Sequence, residues 1–200
     1  MRQLLLDLTQ APEPTFANYV HGGNAELFGV LRAAARGNAP DRVVYVWGEA
    51  AAGKTHLARS FAAEAGTSLR SRVIDDVERL PEDAQAELFN AFIERDFDFL
   101  LATSRLPPAD LPLRRDLATR LATGLTYHVT PLTDAEKREA LAVHARVRGF
   151  DLSEEVASYL LTHARRDMGS LVSALDAIDR YSLETGRAIT VPLLKQAMSA

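Results

Sequence analysis

The 200-residue sequence has no cysteine, which excludes disulfides and thiolate metal sites and fits a reducing compartment. It has no apolar run of bilayer-spanning length. The Leu4-Leu5-Leu6 run near the N-terminus is too short for the apolar core of a signal peptide, so a cytoplasmic location without a membrane partner is expected. Positive charge is also in short supply. With 23 Lys and Arg against 27 Asp and Glu, the formal net charge is −4. That argues against a broad basic surface gripping DNA, and direct sequence-specific DNA binding is not expected. What is present is an ordinary globular composition, 47% hydrophobic and 25% charged, enough for one medium domain with a small appendage.

Against this background, Gly48-Glu49-Ala50-Ala51-Ala52-Gly53-Lys54-Thr55 satisfies every fixed position of the phosphate-binding pattern G-x-x-x-x-G-K-[ST]. Val43 to Trp47 before it reads as a buried strand, and His56 to Ala65 after it as an Ala-rich helix. Strand, glycine loop and helix in that order are the setting the pattern requires. Gly48 and Gly53 allow the tight turn and let backbone N–H groups face a polyphosphate. Lys54 would reach the β- and γ-phosphates, Thr55 would hold Mg²⁺, and the helix N-terminus adds partial positive charge. The cofactor-binding set is therefore Gly48, Ala51, Ala52, Gly53, Lys54, Thr55 and His56, with ADP or ATP and Mg²⁺ as ligands. The bland alternative is a glycine turn between a strand and a helix.

Organisation along the chain supports a nucleotide domain followed by helices. The N-terminal Leu-rich peptide is followed by Ala11-Pro12-Glu13-Pro14, a stiff extended linker. Asn24 is expected to cap a helix running to about Arg36. Further strands are expected at Ser68 to Ile74, Phe97 to Thr103 and Leu125 to Val129, with helices at Glu82 to Glu94 and Leu111 to Leu121 between them. Strands alternating with helices predict a parallel α/β sheet. From Pro131 the pattern is helical only. Thr133 with Glu136 forms a capping box, Ser153 opens a second helix, Met168 to Leu183 is a third and Val191 to Met198 a fourth. The expected domains are 1–14 (peptide and linker), 15–131 (nucleotide-binding) and 132–200 (helical lid).

Asp75 and Asp76 follow Val73-Ile74 at the carboxyl end of a strand, where P-loop enzymes hold Mg²⁺. Asp75 takes the metal role beside Thr55, and Asp76 is placed to orient an attacking water. Only residues 56–74, 19 in all, separate Thr55 from Asp75. That is room for one helix and one strand, and the strand carries Arg70 and Arg72 where a central parallel strand would be nearly all apolar. Either the sheet is short by one edge strand, or a loop is absent from this numbering. Thr103 and Ser104 would place hydroxyls near the γ-phosphate or serve as ordinary strand-end hydrogen bonders. Arg120 ends a helix rich in Arg, where cations suit the C-terminal dipole.

The order of these motifs resembles the AAA+ ATPases, and within them the DnaA-related Hda family. Gly53-Lys54-Thr55-His56-Leu57 matches that family's phosphate loop, and Ile74-Asp75-Asp76-Val77-Glu78 its acidic strand end. Thr103-Ser104 with Pro107-Pro108 matches its sensor 1 stretch, with Arg105 where these families usually carry Asp. Leu117 to Leu121, then Gly124, is similar to the box holding the arginine finger, which implies Arg120 in that role. Pro131-Leu132, Lys137 and Arg148-Gly149-Phe150 read like the family's lid. Gly169 stands where the family's sensor 2 Arg would fall, which implies weakened handling of ATP, with Arg165 or Arg166 one turn earlier. Gln3-Leu4-Leu5-Leu6-Asp7-Leu8 resembles the family's sliding-clamp-binding peptide, implying Gln3, Leu4, Leu6 and Leu8 as partner-binding residues.

The resemblance thus implies a negative regulator of replication initiation. It would bind the DNA polymerase III sliding clamp and stimulate hydrolysis of DnaA-bound ATP through Arg120, with little or no ATPase of its own. DnaA itself continues past the lid into a DNA-reading helix-turn-helix domain, whereas this sequence stops at Ala200. Two alternatives stay open: a self-sufficient ATPase or loader acting as a homo-oligomer, and a nucleotide-independent adaptor.

Overall fold

A computed structural model describes residues 13–66 and 69–198. The clamp-type residues Gln3, Leu4, Leu6 and Leu8 lie outside that range. The described residues fall into two compact units, Pro14–Pro131 and a second from Leu132 onward.

The first unit is built on four parallel strands: β1 (Val43–Trp47), β2 (Ser71–Ile74), β3 (Phe99–Ser104) and β4 (Leu125–His128), in the order β2-β3-β1-β4. β1 and β3 are central and buried on both faces, which is why their sequences are nearly continuous apolar runs. Successive side chains still alternate. Val44, Val46, Phe99 and Leu101 pack under α1 (Ala25–Ala35) and α2 (Lys54–Ala65). Val43, Tyr45, Leu100 and Ala102 pack under α3 (Glu82–Glu94) and α4 (Arg115–Ala122).

β2 is an edge strand, and this explains its arginines. Arg72 reaches Asp96 at 2.8 Å and Glu87 at 3.6 Å, while Arg70, just before the strand, pairs with Asp98 at 2.7 Å. A strand open to water on one side accommodates such side chains; a central strand would not.

Two local expectations are corrected. Asn24 does not cap α1. Its side chain is buried and bonds the Thr130 backbone twice, Nδ2 donating to the Thr130 carbonyl and Oδ1 accepting from the Thr130 amide, both at 3.0 Å. Those backbone groups lie just beyond edge strand β4, where no further strand among the described residues pairs with them. The α4 helix begins at Arg115 rather than Leu111. A short 3₁₀ turn at Pro108–Asp110 precedes it, Pro112 interrupts the run, and Leu111 is buried in the core beneath.

The second unit packs α5 (Asp134–Val147), α6 (Glu154–His163), α7 (Met168–Thr185) and α8 (Val191–Met198) around Leu141, Leu160, Leu171, Leu175, Ile178 and Leu194. Thr133 and Glu136 form a reciprocal capping box, and Ser153 and Asp167 cap the next two helices through their side chains. Hydrogen bonds from Thr133 hold the Glu136 carboxyl below the ordinary Glu range. Its small stabilisation is therefore present above the unfolded-state pKa and lost as pH falls through the folded one.

A charge cluster joins α5 to α7: Arg148 to Asp179 at 2.8 Å and to Asp176 at 3.4 Å, and His144 to Asp176 at 2.7 Å. Asp179 is only 7% exposed, so its charge depends on Arg148. Arg148→Ala is expected to cost about 2 kcal/mol, less than breaking a pair buried on both sides because Arg148 is partly solvated. Adding Asp179→Asn should recover part of the loss in urea unfolding. Equal midpoints for wild type and Arg148→Ala would disprove the dependence.

Candidate functional site

The loop between β1 and α2 is shaped by two close approaches. Gly48 has φ 154°, and a Cβ there would sit 2.5 Å from the Val129 carbonyl oxygen. Its N–H donates to the Ser104 carbonyl at 3.2 Å, tying the loop to the end of β3. Gly53 has φ 98°, and a Cβ would meet the Tyr19 ring at 3.1 Å. Between them Ala51 takes φ 62°, a left-handed conformation that costs an L-residue about 1–2 kcal/mol. Ala52 is buried at the turn.

Lys54 opens α2 and is 6% exposed. Its ammonium donates to the Gly48 and Glu49 carbonyls, both at 2.7 Å. Burial pushes its pKa down; the Arg105 charge pushes the same way, and Asp76, Glu78 and Asp75 oppose it. An ammonium carries three donors, so one N–H remains for an anion. Anion binding would also offset the cost of burying the charge. Thr55 is exposed in the first turn of α2.

Thr103 is fully buried at the end of β3. Its hydroxyl donates to Asp75 Oδ1 and accepts from the Asp76 amide at 3.1 Å. Asp76 adopts φ 52°, ψ 52°, a conformation Asp tolerates better than most residues. Thr103 thus orients the Asp75 carboxylate and the Asp76 backbone, while the Asp76 carboxylate lies 3.6 Å from the Arg79 guanidinium. The Ser104 hydroxyl instead accepts from the Leu106 amide at 3.0 Å, and the Tyr45 hydroxyl donates to the Leu106 carbonyl at 2.7 Å. Burial drives the Tyr45 pKa up to about 12.

His56 faces away from this acidic end. Its Nε2 lies 3.1 Å from the Thr15 carbonyl, which requires Nε2–H, and its ring sits 5.3 Å from that of Tyr19. Burial lowers its pKa. Tyr19 stacks on Phe28 at 5.8 Å, and Phe16 meets Phe28 edge-on at 5.6 Å. This aromatic wall beside Gly53 was missed in the sequence. Its only signal there was the clustering of Phe16, Tyr19 and Phe28 ahead of the phosphate loop.

Arg120 belongs to a different surface. Its guanidinium lies over the Phe89 ring at 5.2 Å and near Phe92 at 6.0 Å. Among the described residues it has no carboxylate partner. It lines a shallow, open depression of about 790 Å³ with Phe89, Arg114, Arg115, Asp116 and Thr119. Gly169 lies in the first turn of α7, its carbonyl accepting from the Ser173 hydroxyl at 2.8 Å. Arg165 pairs with Asp167 at 3.4 Å, and Arg166 is exposed.

The chain thus combines a phosphate loop after β1, an acid pair after β2 and a separate helical unit. The fold is that of the DnaA AAA+ domain. Domain III of the Thermotoga maritima replication initiation protein DnaA superposes with TM-score 0.74 at 20% identity, over 94% of this chain and 96% of that one. AMPPCP-bound DnaA from Aquifex aeolicus gives 0.71 at 19% identity, over 86% and 67%. The Thermotoga maritima RuvB Holliday junction branch migration motor gives 0.64 at 18%, over 88% and 67%. Residues 134–198 match the family model for the Hda lid domain. The chain thus pairs a helical unit similar to the Hda lid with a fold like that of the DnaA AAA+ domain.

The loop geometry yields paired expectations. Gly48→Ala should destabilise by about 1–3 kcal/mol, because the Val129 backbone cannot yield as a side chain would. Ala51→Gly should be neutral or stabilise by up to about 1 kcal/mol, because it relieves the left-handed Ala. Chemical denaturation of the two variants reads both signs; stabilisation by Gly48→Ala would overturn the first.

Proposed function

We propose that this chain is a negative regulator of replication initiation that joins the sliding clamp to DnaA and stimulates hydrolysis of DnaA-bound ATP. The observation that carries the proposal is Arg120. Its guanidinium is held by ring contacts on α3, with no carboxylate among the described residues to neutralise it. Such a cation is available to a phosphate belonging to a neighbouring molecule. In a neighbouring DnaA site it would stabilise negative charge on the equatorial oxygens of the transferring phosphoryl group.

The chain's own loop fits ADP or ATP. Gly48 and Gly53 provide backbone room, and Lys54 has a spare donor directed from a buried position. The hydroxyl of Thr55 and the carboxylate of Asp75 form an oxygen-only donor set suited to Mg²⁺ bound mainly through phosphates and water. Bound Mg²⁺ supplies charge neutralisation at the phosphates. Ala51, Ala52 and His56 complete the loop and first turn, with Tyr19 and Phe28 as an apolar wall for the base. On this reading the resident nucleotide shapes the domain rather than being turned over. Gln3, Leu4, Leu6 and Leu8 supply the clamp contact, and the protein acts in the cytoplasm.

A second reading is a self-sufficient ATPase or loader working as a homo-oligomer. The Asp75–Thr103–Asp76 array beside the loop favours it, because Asp76 is then placed to orient water.

Arg120→Ala should retain clamp co-elution and lose stimulation of DnaA-ATP hydrolysis by about a thousandfold or more. Full stimulation by that variant would sink the assignment. Gln3→Ala with Leu6→Ala should abolish co-elution with the clamp while leaving the fold intact. Substantial ATP turnover by the purified chain alone would favour the second reading.

A further inference from the structure

We propose that Arg105 is a second phosphate-binding cation of this chain's own nucleotide site, contacting the polyphosphate from the end of β3 opposite Lys54. The inference rests on the reading of Gly48–Thr55 as a nucleotide loop and adds a residue that neither the pattern nor the resemblance assigns.

The backbone places Arg105 at the site. β3 pairs with β1 in a register that sets Ser104 beside Trp47, so Arg105 follows β3 at the level where Gly48 follows β1. The two strand ends are joined directly, the Gly48 N–H donating to the Ser104 carbonyl at 3.2 Å. Gly48 is also one of the two residues whose carbonyls hold the Lys54 ammonium. Ligands of open parallel sheets bind outside the carboxyl ends of the strands, which is where this residue stands.

The segment carrying Arg105 is also held firmly. Its own N–H donates to Glu78 Oε1 at 3.1 Å, the next N–H donates to the Ser104 hydroxyl at 3.0 Å, and the Leu106 carbonyl accepts from Tyr45 at 2.7 Å. A cation on so fixed a base loses little additional freedom on binding.

Among the described residues the side chain itself has no answering charge. Arg105 is exposed, and among the described residues its guanidinium makes no ion pair or hydrogen bond. Other arginines of this unit do have partners: Arg70 with Asp98, Arg72 with Asp96 and Arg114 with Asp116. The charge of Arg105 is felt at Lys54, where it works with burial to push the ammonium's pKa down. Two cations that repel each other across one end of a sheet are relieved together by a polyanion between them. Guanidinium–phosphate bonds are charge-assisted and directional.

The test is calorimetric titration of the full chain with MgADP and MgATP, beside adenosine, which carries no phosphate, as a competitor. Arg105→Ala should weaken both nucleotides by about tenfold or more. It should leave adenosine binding and the nucleotide-free melting temperature unchanged. Arg105→Lys should keep most of the affinity and Arg105→Asp should lose more than Arg105→Ala. Wild-type affinity in Arg105→Ala, with Lys54→Ala weakened, would overturn the role of Arg105 and leave the loop reading standing. Equal losses for adenosine and the nucleotides would overturn it too, by showing a structural role. Absence of nucleotide binding by the wild type would instead overturn the loop reading itself.

Discussion

A lysine ammonium withdrawn from water is the constraint around which the first unit is arranged. Lys54 is satisfied only in part, by two carbonyls of its own loop. Holding those carbonyls in place requires the loop to curl tightly, with backbone against Val129 at one end and an aromatic ring at the other. The strand ends that meet there must in turn be rigid. β1 and β3 supply this through side chains buried on both faces of the sheet. The acids Asp75, Asp76 and Glu78 support the lysine's charge from beyond the end of β2, and the Thr103 hydroxyl ties the Asp75 carboxylate and the Asp76 amide to the end of β3.

Electrostatics is thus partitioned within one domain. One positively charged place is internal, framed by acids and built on backbone. The other, around Arg114, Arg115 and Arg120, lies on the α3–α4 surface and is framed by the Phe89 ring. The first is suited to retaining a small anion, and the second to meeting a surface.

Much of this was legible in the sequence because it depends on local rules. The phosphate loop is set by backbone geometry over a few residues. The cap at Thr133 is contained in one helical turn, and the helices at Glu82–Glu94 and Val191–Met198 follow apolar spacing. What escaped depends on partners distant in the chain. Asn24 had the composition of a cap but is claimed by Thr130, 106 positions away. The Phe16–Tyr19–Phe28 wall exists only because that segment folds against α2. The setting of Arg120 over Phe89 requires α3 and α4 to lie side by side. The arginines near β2 looked anomalous only while the strand was taken as central.

That edge strand has a wider meaning. An exposed parallel edge offers unpaired backbone groups to any extended chain that drifts near it. Here the approach is lined by the guanidinium groups of Arg70 and Arg72, already engaged with Asp98 and Asp96. Charged side chains along an edge strand disfavour the close, dry approach that a pairing strand needs. The same charges that mark the sheet's boundary therefore guard it against growth, so the acids at its tip can stand beside an open edge without inviting another strand to bury them.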